Sequence, residues 1–314
     1  MTLIVYKSVM IQLPFTDEKT VSTSLGSMVY YMPALPEYPA QQPLAERETL
    51  VFLHGFGGGS SAYEWSKVFP AFAAHYSVIA PDLLGWGKSH HLERSYTVSD
   101  YLSTIPEFIR ATCSQPVTVV ASALTAAFMI RIAIAHPDLF KSLILMTPSG
   151  LSDFGNDYTR SPFAQIVSLP LIDKVLYGGA IATRFGIENF LQNRQFADPS
   201  RISDDIVQAY LKSAQQPHAD YTALSFVRGD LCFDLADYIS ELTVPTALLW
   251  GEKASFTGPE LGRRLAAKNP DAIKLFEVIR STGLTPQLEL PAVTIGMIQT
   301  CLAVLKNEQR LTAV

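Results

Sequence analysis

The stretch VVASALTAAF, residues 119–128, carries the strongest indication of the fold. It follows an apolar strand pattern and begins a long uncharged helix pattern. Many enzymes place a serine nucleophile at such a strand-to-helix turn, in the pattern G-x-S-x-G. Here the five positions read Ala121-Ser122-Ala123-Leu124-Thr125, with alanine at the centre. Three interpretations follow: a chance likeness, a serine displaced by one residue, or an enzyme scaffold that has lost its nucleophile.

Strand and helix patterns alternate on both sides of this turn. The patterns predict strands at 8–15, 26–33, 49–55, 76–82, 117–122, 142–148, 244–251 and 274–279, and helices at 62–74, 97–113, 124–135, 258–268 and 292–306. This alternation predicts the α/β class, with a mostly parallel sheet flanked by helices. Residues 150–240 show helical patterns and little strand signal. We therefore expect a core domain formed by 1–149 and 241–314, interrupted by a helical cap at 150–240.

Composition argues against several classes of protein. The net charge of −5 is spread without a block of like charge, which gives no support for a nucleic-acid partner. The three cysteines lie far apart and predict free thiols. No His, Asp and Glu residues stand at ligand spacing, so we expect no metal and no cofactor. The sequence does not identify a protein partner.

The chain also lacks the patterns of export and membrane insertion. The N-terminal segment has no basic start followed by a long apolar run, so a secretory signal is not predicted. The uncharged stretch 111–130 contains Pro116 and several hydroxyl side chains. A strand, a turn and a helix explain it better than a membrane span. We expect a cytoplasmic protein with no integral membrane segment.

Five segments together resemble a known family. They are HGFGGG (54–59), PDLLGWGKS (81–89), the turn VVASALT, AHPDLFKSLILMTPSG (135–150) and VPTALLWGEK (244–253). Their order and spacing resemble the α/β-hydrolase family, most closely its cap-bearing esterase, haloperoxidase and C–C hydrolase branch. The resemblance implies an oxyanion hole formed by the backbone N–H groups of Phe56 and Leu124. It also implies that Asp82 and Ser89 hold their loop by local hydrogen bonds.

The resemblance further implies where a Ser-Asp-His triad would stand. The three positions hold Ala123, Ala254 and Leu284. Nearby substitutes are poor: a one-residue shift turns the Ser122 side chain away, and Glu252 stands two residues before the acid position. None of the six histidines follows residue 218, so the base position has no neighbouring imidazole. The framing residues are kept while the catalytic side chains are not.

These observations favour a protein that binds without hydrolysing. An apolar cap goes with an apolar ligand, and we predict a pocket lined by His54, Gly57, Trp86, Ser122 and Phe256. The preferred hypothesis is a non-hydrolytic α/β-hydrolase homologue, a pseudoenzyme that binds a small apolar molecule. One alternative is a lyase, isomerase or cyclase that works without the triad. The other is an esterase-type hydrolase whose triad was replaced by laboratory mutagenesis.

Overall fold

The computed structural model describes residues 13, 16–34, 47–161, 164–165 and 176–312, without the side chains of 309–312. Eight strands form one sheet in the order β1-β2-β4-β3-β5-β6-β7-β8. Their bounds are β1 Thr16–Thr23, β2 Gly26–Pro33, β3 Thr49–Leu53, β4 Ser77–Pro81, β5 Val117–Ser122, β6 Phe140–Met146, β7 Thr246–Gly251 and β8 Ile273–Ile279. The β1–β2 and β2–β4 pairs are antiparallel and the other five pairs are parallel. The predicted fold class is therefore confirmed.

Eight α-helices have bounds within the described part of the chain, besides shorter 3-10 and π-helical turns. They are α1 Val98–Thr112, α2 Ala123–Ala135, α3 Arg184–Phe190, α4 Asp204–Ala214, α5 Ala219–Arg228, α6 Pro259–Lys268, α7 Pro286–Glu289 and α8 Pro291–Thr312. A capping box between Thr97 and Asp100 begins α1.

Two local expectations need correction. The helix predicted over 62–74 is two short 3-10 helices, Ala62–Trp65 and Phe69–Phe72. Pro70 explains the break, because it lacks the N–H that a continuous α-helix would need there. The strand predicted at 8–15 lies outside the described residues, Leu13 excepted. The first described strand is β1, a largely exposed edge strand whose charged residues hid it from the hydrophobic pattern.

The sheet separates two apolar clusters, one on each face. Val119 faces the cluster that contains Phe128 of α2, and Val120 faces the cluster that contains Trp65. Successive strand side chains alternate between the faces, so Ser122 points toward the Val120 side. α2 is buried around most of its circumference, which explains why its start is uncharged and almost uniformly apolar.

The helical segment between β6 and β7 lies over the carboxyl ends of the parallel strands. Ser213 of α4 donates to the Ser60 carbonyl at 3.0 Å and accepts from the Gly87 N–H at 3.2 Å. The Leu284 N–H donates to the Gln195 carbonyl at 2.8 Å. Loops that follow β3, β4 and β8 are thereby tied to this segment. In open α/β sheets, this edge is where ligands bind.

Two further predictions concern the cysteines and membrane insertion. All three cysteines are free thiols, with Cys301 buried and the other two partly buried. Within the described ranges, none of the helices combines the length and apolar character needed to cross a bilayer.

Candidate binding site

Strained backbone marks the turn between β5 and α2. Ala123 has φ 52°, in the left-handed region that costs a non-glycine residue about 1–3 kcal/mol. Thr147 (φ 48°) and Leu151 (φ 65°) share this conformation. All three residues line one small cavity, and they are half of the six positive-φ non-glycine residues in the described chain. Strain of this kind concentrates at functional sites, so this cavity is a candidate functional site.

The cavity at Ala123 is too small for an organic ligand. Its volume is about 30 Å³, which is enough for a water molecule. Its lining consists of Phe56, Ala123, Leu124, Thr147, Ser149, Leu151, Phe226, Phe256, Thr257 and Leu284. The structure thus brings together four residues singled out in the sequence, Phe56, Leu124, Leu284 and Phe256, around the Ala123 methyl group. The backbone N–H groups of Phe56 and Leu124 stay a prediction as an oxyanion hole.

The loops after β7 and β8 enclose Ala254. Gly251 and Gly283 bring their backbones so close that a side chain on Gly251 would collide with the Gly283 carbonyl. Ala254 is buried in this loop, and its N–H donates to the Gly251 carbonyl at 3.2 Å. The neighbouring Glu252 is exposed and accepts the Ser281 N–H at 2.9 Å. Its carboxylate therefore serves the loop after β8 and does not line the cavity.

The Ser122 hydroxyl points behind the turn, away from the cavity. A β-carbon placed on Gly55 would lie 3.3 Å from Ser122 Oγ and 3.6 Å from Glu64 Oε2. Ser122 Oγ is buried and makes no hydrogen bond to the described protein atoms. We expect Ser122 at the pocket, but the alternation of strand side chains places it on the opposite face of β5. From there the Ser122 hydroxyl does not reach a substrate in the cavity, so it does not serve as a nucleophile.

His54 also lies outside the cavity lining. Its Nε2 accepts the Leu83 N–H at 3.0 Å, so the proton is on Nδ1, which donates to the Gly55 carbonyl at 2.7 Å. Burial lowers the pKa of His54 to about 4, which keeps the ring neutral at physiological pH. The ring connects the loops after β3 and β4, and it is a structural group rather than a pocket residue.

Trp86 and Gly57 support the site from outside it. The Trp86 ring packs 5.0 Å from the Phe56 ring, centroid to centroid, within a group of aromatic residues. A side chain on Gly57 would meet the Phe190 ring at 2.9 Å. Both residues were expected to line the pocket. The structure instead uses them to position Phe56 and Phe190, which do line cavities.

Thr125 connects the two halves of the predicted oxyanion site. Its hydroxyl, in the first turn of α2, donates to the His54 carbonyl at 2.6 Å. Thr125 and His54 are both fully buried. The family pattern has a small residue at this position, and the structure gives threonine a definite task there, since it fixes the loop after β3 to the start of α2.

The loop after β4 behaves as its sequence predicts. The Asp82 carboxylate accepts from the N–H groups of Ala62 at 2.7 Å and Lys88 at 2.9 Å. The Ser89 hydroxyl donates to the Asp82 carbonyl at 2.6 Å. These local hydrogen bonds are the predicted role of Asp82 and Ser89. Burial raises the pKa of the Asp82 carboxyl to about 6.

Sequence reasoning assigned no role to two carboxylates that the structure buries near the turn. Glu64 accepts from the Gly55 N–H at 3.0 Å and from the Tyr210 hydroxyl of α4 at 3.1 Å, and burial raises its pKa. Asp153 accepts from the Ser149 hydroxyl at 2.5 Å, and burial raises its pKa as well. The sequence feature that could have indicated Glu64 is its place as a single acidic residue inside the apolar segment around Trp65. Neither carboxylate has a histidine among the partners described here.

A larger groove lies above the small cavity, within the helical segment. Its volume is about 530 Å³, inside the range of small-molecule sites. Apolar side chains predominate in the lining, and Phe226 and Phe256 also line the cavity at Ala123. Phe256 is 39% exposed and stands at the boundary between the two spaces. Of the predicted pocket residues, Phe256 is the one that both linings contain.

Among the described residues, the linings of the two cavities contain two titratable side chains, Tyr158 and Arg194. No histidine appears among the described residues that line either cavity. His218 lies at the surface, where its Nε2 is 3.3 Å from Glu93 Oε1. Over the described chain, no three His, Cys, Asp or Glu side chains come together as a metal-binding group.

Comparison with known proteins finds relatives that are named as hydrolases. A relative from Cupriavidus pinatubonensis, named 2-hydroxy-6-oxononadienedioate/2-hydroxy-6-oxononatrienedioate hydrolase, is 28% identical over 238 residues, which are 73% of this chain and 78% of the relative. The uncharacterized hydrolase YugF of Bacillus subtilis is 25% identical over 248 residues, covering 77% of this chain and 85% of the relative.

Solved structures show the same fold at low identity. The 2-hydroxy-6-oxo-6-phenylhexa-2,4-dienoate hydrolase from Rhodococcus has a TM-score of 0.71 at 17% identity, covering 92% of this chain and 99% of that one. A putative lipase from Acinetobacter baumannii has a TM-score of 0.72 at 19% identity, covering 94% of both chains. A model of the "Alpha/beta hydrolase family" matches residues 50–295, well over half of the chain. The chain therefore belongs to the alpha/beta hydrolase family.

Proposed function

We propose that this protein binds a small apolar molecule in the groove of its cap and does not hydrolyse it through a serine. One observation carries the proposal. A roomy apolar groove opens above a cavity whose floor is the Ala123 methyl and whose wall includes Leu284. A covalent acyl-transfer mechanism requires a nucleophile, a base and an orienting acid at such a floor. Alanine and leucine supply none of them.

Desolvation favours the same conclusion. Aspartate and histidine side chains left unpaired in a closed apolar space would each carry a penalty, because buried polar groups need partners. Ala123, Ala254 and Leu284 are largely buried and apolar, so they carry no such penalty. A drier floor suits retention of an apolar ligand better than chemistry with water.

The relatives named as hydrolases keep an enzymatic alternative open. The observation that favours it is the Ser149–Asp153 hydrogen bond, since Ser149 lines the cavity and donates to the buried carboxyl group of Asp153. A lyase, isomerase or cyclase would use such an acid without a covalent serine intermediate. Substrate depletion separates this alternative from binding alone.

The test combines binding and turnover on the same protein. The neutral fluorophore N-phenyl-1-naphthylamine reports occupation of the groove, and a panel of p-nitrophenyl esters reports hydrolysis. We expect saturable fluorophore binding and no ester turnover above that of a Ser149→Ala variant. Incubation with a metabolite extract should give retention of an apolar compound without its depletion. Depletion that requires Asp153 would favour the enzymatic alternative.

Two variants that replace an alanine by tryptophan test whether the ligand binds in the groove. Ala180 lines the groove and is exposed, so Ala180→Trp should fill its mouth and weaken fluorophore binding about tenfold or more. Ala267, equally exposed on α6, lies outside the groove, and Ala267→Trp is the matched control. Saturable ester turnover by the parent protein, above that of the Ser149→Ala variant, would overturn the proposal.

A further inference from the structure

Charge is distributed unevenly in the groove of the cap. Among the described residues that line it, Arg194 is the one with a formal charge, and no carboxylate is present in the lining. The remaining polar lining groups are neutral, and they include the Tyr158 hydroxyl and the Asn189 amide. An apolar groove with a single cation is suited to a ligand that has an apolar body and one negative end.

Arg194 differs from the other arginines described in the cap. Each of the others has a carboxylate partner within 4.0 Å, in the pairs Arg160–Asp157, Arg184–Glu188, Arg201–Asp198 and Arg228–Asp230. For Arg194 the recorded side-chain contact is with the Phe256 ring, whose centroid lies 5.9 Å from the guanidinium carbon. Its charge is thus uncompensated within the described structure, at the point where Phe256 separates the groove from the cavity at Ala123.

Tyr158 stands near this guanidinium. Burial raises the pKa of Tyr158 to about 12, with the nearby Cys232 adding to the rise and the charge of Arg194 opposing it. The phenol is therefore protonated at neutral pH and is available as a hydrogen-bond donor. A guanidinium and a phenol O–H in the lining of the same groove form a donor set that fits an anionic oxygen group.

We propose that the groove binds an amphiphile with a single anionic oxygen headgroup, which pairs with Arg194 and the Tyr158 hydroxyl while its hydrocarbon body lies against the apolar lining. This inference rests on the proposed function and specifies the ligand class. A carboxylate and a phosphate monoester share the required chemistry. The apolar part supplies most of the affinity, since each buried methylene strengthens binding about fourfold. The headgroup supplies selectivity.

The test compares ligands that have the same chain and different ends. Each of decanoate, decyl phosphate and decanol is titrated against bound N-phenyl-1-naphthylamine at pH 7.5. The two anions are kept below their micellar concentrations and decanol below its solubility limit. We expect decanoate or decyl phosphate to bind more tightly than decanol, and the preference to shrink as salt is raised. The stronger of the two anions identifies the headgroup. Because Arg194 is exposed, its contribution should be modest, about three- to tenfold.

Arginine variants then assign the selectivity. Arg194→Gln should remove the preference for the anion and leave decanol binding unchanged, and Arg194→Lys should restore part of it. Arg263 is the matched control, since its guanidinium carbon lies 5.7 Å from the Phe276 ring centroid, outside the groove. Arg263→Gln should leave the preference intact. Both arginines are exposed, so these variants are expected to fold.

Two negative results have different meanings. If decanol and the fluorophore bind but anions gain nothing, or if Arg194→Gln and Arg263→Gln have equal effects, the headgroup inference is overturned and the proposed function stands. If neither the alcohol, the anions nor the fluorophore binds, the proposed apolar site itself is refuted, together with the inference that rests on it.

Discussion

Replacement of Thr125 by valine tests whether its hydroxyl holds the site together. Valine keeps the branched shape and removes the donor to the His54 carbonyl, a hydrogen bond of 2.6 Å between two fully buried residues. A buried acceptor that loses its donor costs about 1–3 kcal/mol, and the short distance and complete burial place our expectation near 2 kcal/mol. Thr125→Ser, which keeps the hydroxyl, should lose less.

Equilibrium unfolding in urea measures this loss, with the same slope expected for parent and variant. The matched control is Thr300→Val on α8, where an exposed hydroxyl donates to the Gly296 carbonyl at 3.0 Å. Solvent replaces that bond, so a change below about 0.5 kcal/mol is expected. If Thr125→Val costs no more than Thr300→Val, the hydroxyl does not fix the loop after β3 to α2. Looser fluorophore binding in Thr125→Val would show that this link also shapes the groove.

Three further predictions concern the loop after β4, the buried titratable groups and the triad positions. Gly87 has φ +54°, and a side chain there would collide with the Asp82 carboxylate. Gly87→Ala should therefore lower the free energy of unfolding, measured in urea, by more than about 2 kcal/mol. Gly296→Ala, in the open interior of α8, is the control and should raise it by about 0.5–1 kcal/mol. Burial raises the pKa of Asp82 to about 6, so its contribution to stability falls by about 2 kcal/mol as pH rises from 4 to 6. Burial lowers the pKa of His54 to about 4, so its contribution to stability rises by about 3 kcal/mol as pH rises from 4 to 6.5. The two effects oppose each other in the parent, so the difference in stability between Asp82→Asn and the parent is the quantity to measure. This difference should move by about 2 kcal/mol in favour of the variant between pH 4 and 6, and a difference that stays constant with pH would contradict the prediction. The triple variant Ala123→Ser, Ala254→Asp and Leu284→His restores the family side chains and should create measurable turnover of p-nitrophenyl esters. A correctly folded but inactive triple variant would count against the assigned triad positions.

The fold was predictable because it depends on periodicity. The six strands predicted from residue 49 onward have mainly apolar cores, and the structure contains each of them within a few residues of its predicted bounds. β1 was missed because an exposed edge strand needs no apolar face, and its sequence TDEKTVST shows none. The helix over 62–74 was overestimated because the apolar spacing took no account of Pro70. The period of apolar residues indicates which faces of a strand or helix are buried. It does not predict a strand that is largely exposed, such as β1, or a helix that ends because proline lacks a backbone N–H.

The site was predictable only in part, because its members come from distant segments. Order and spacing of motifs assigned Phe56, Leu124 and Leu284 to one place, and the structure brings them together around Ala123. The same reasoning gave pocket roles to His54 and Trp86, whose side chains the tertiary structure uses for hydrogen bonding and packing between loops.

The sequence by itself determined the α/β order of elements, the strand-to-helix turn and the identity of the side chains at the three predicted triad positions. Only the tertiary structure decided how much space those side chains leave. Cavity volume depends on how the cap helices meet the strand ends, which no local pattern encodes. The space at Ala123 is about 30 Å³ and the groove above it about 530 Å³, with Phe256 between them. Likewise, the solitary charge of Arg194 became visible only when its neighbours in space, rather than in sequence, were known.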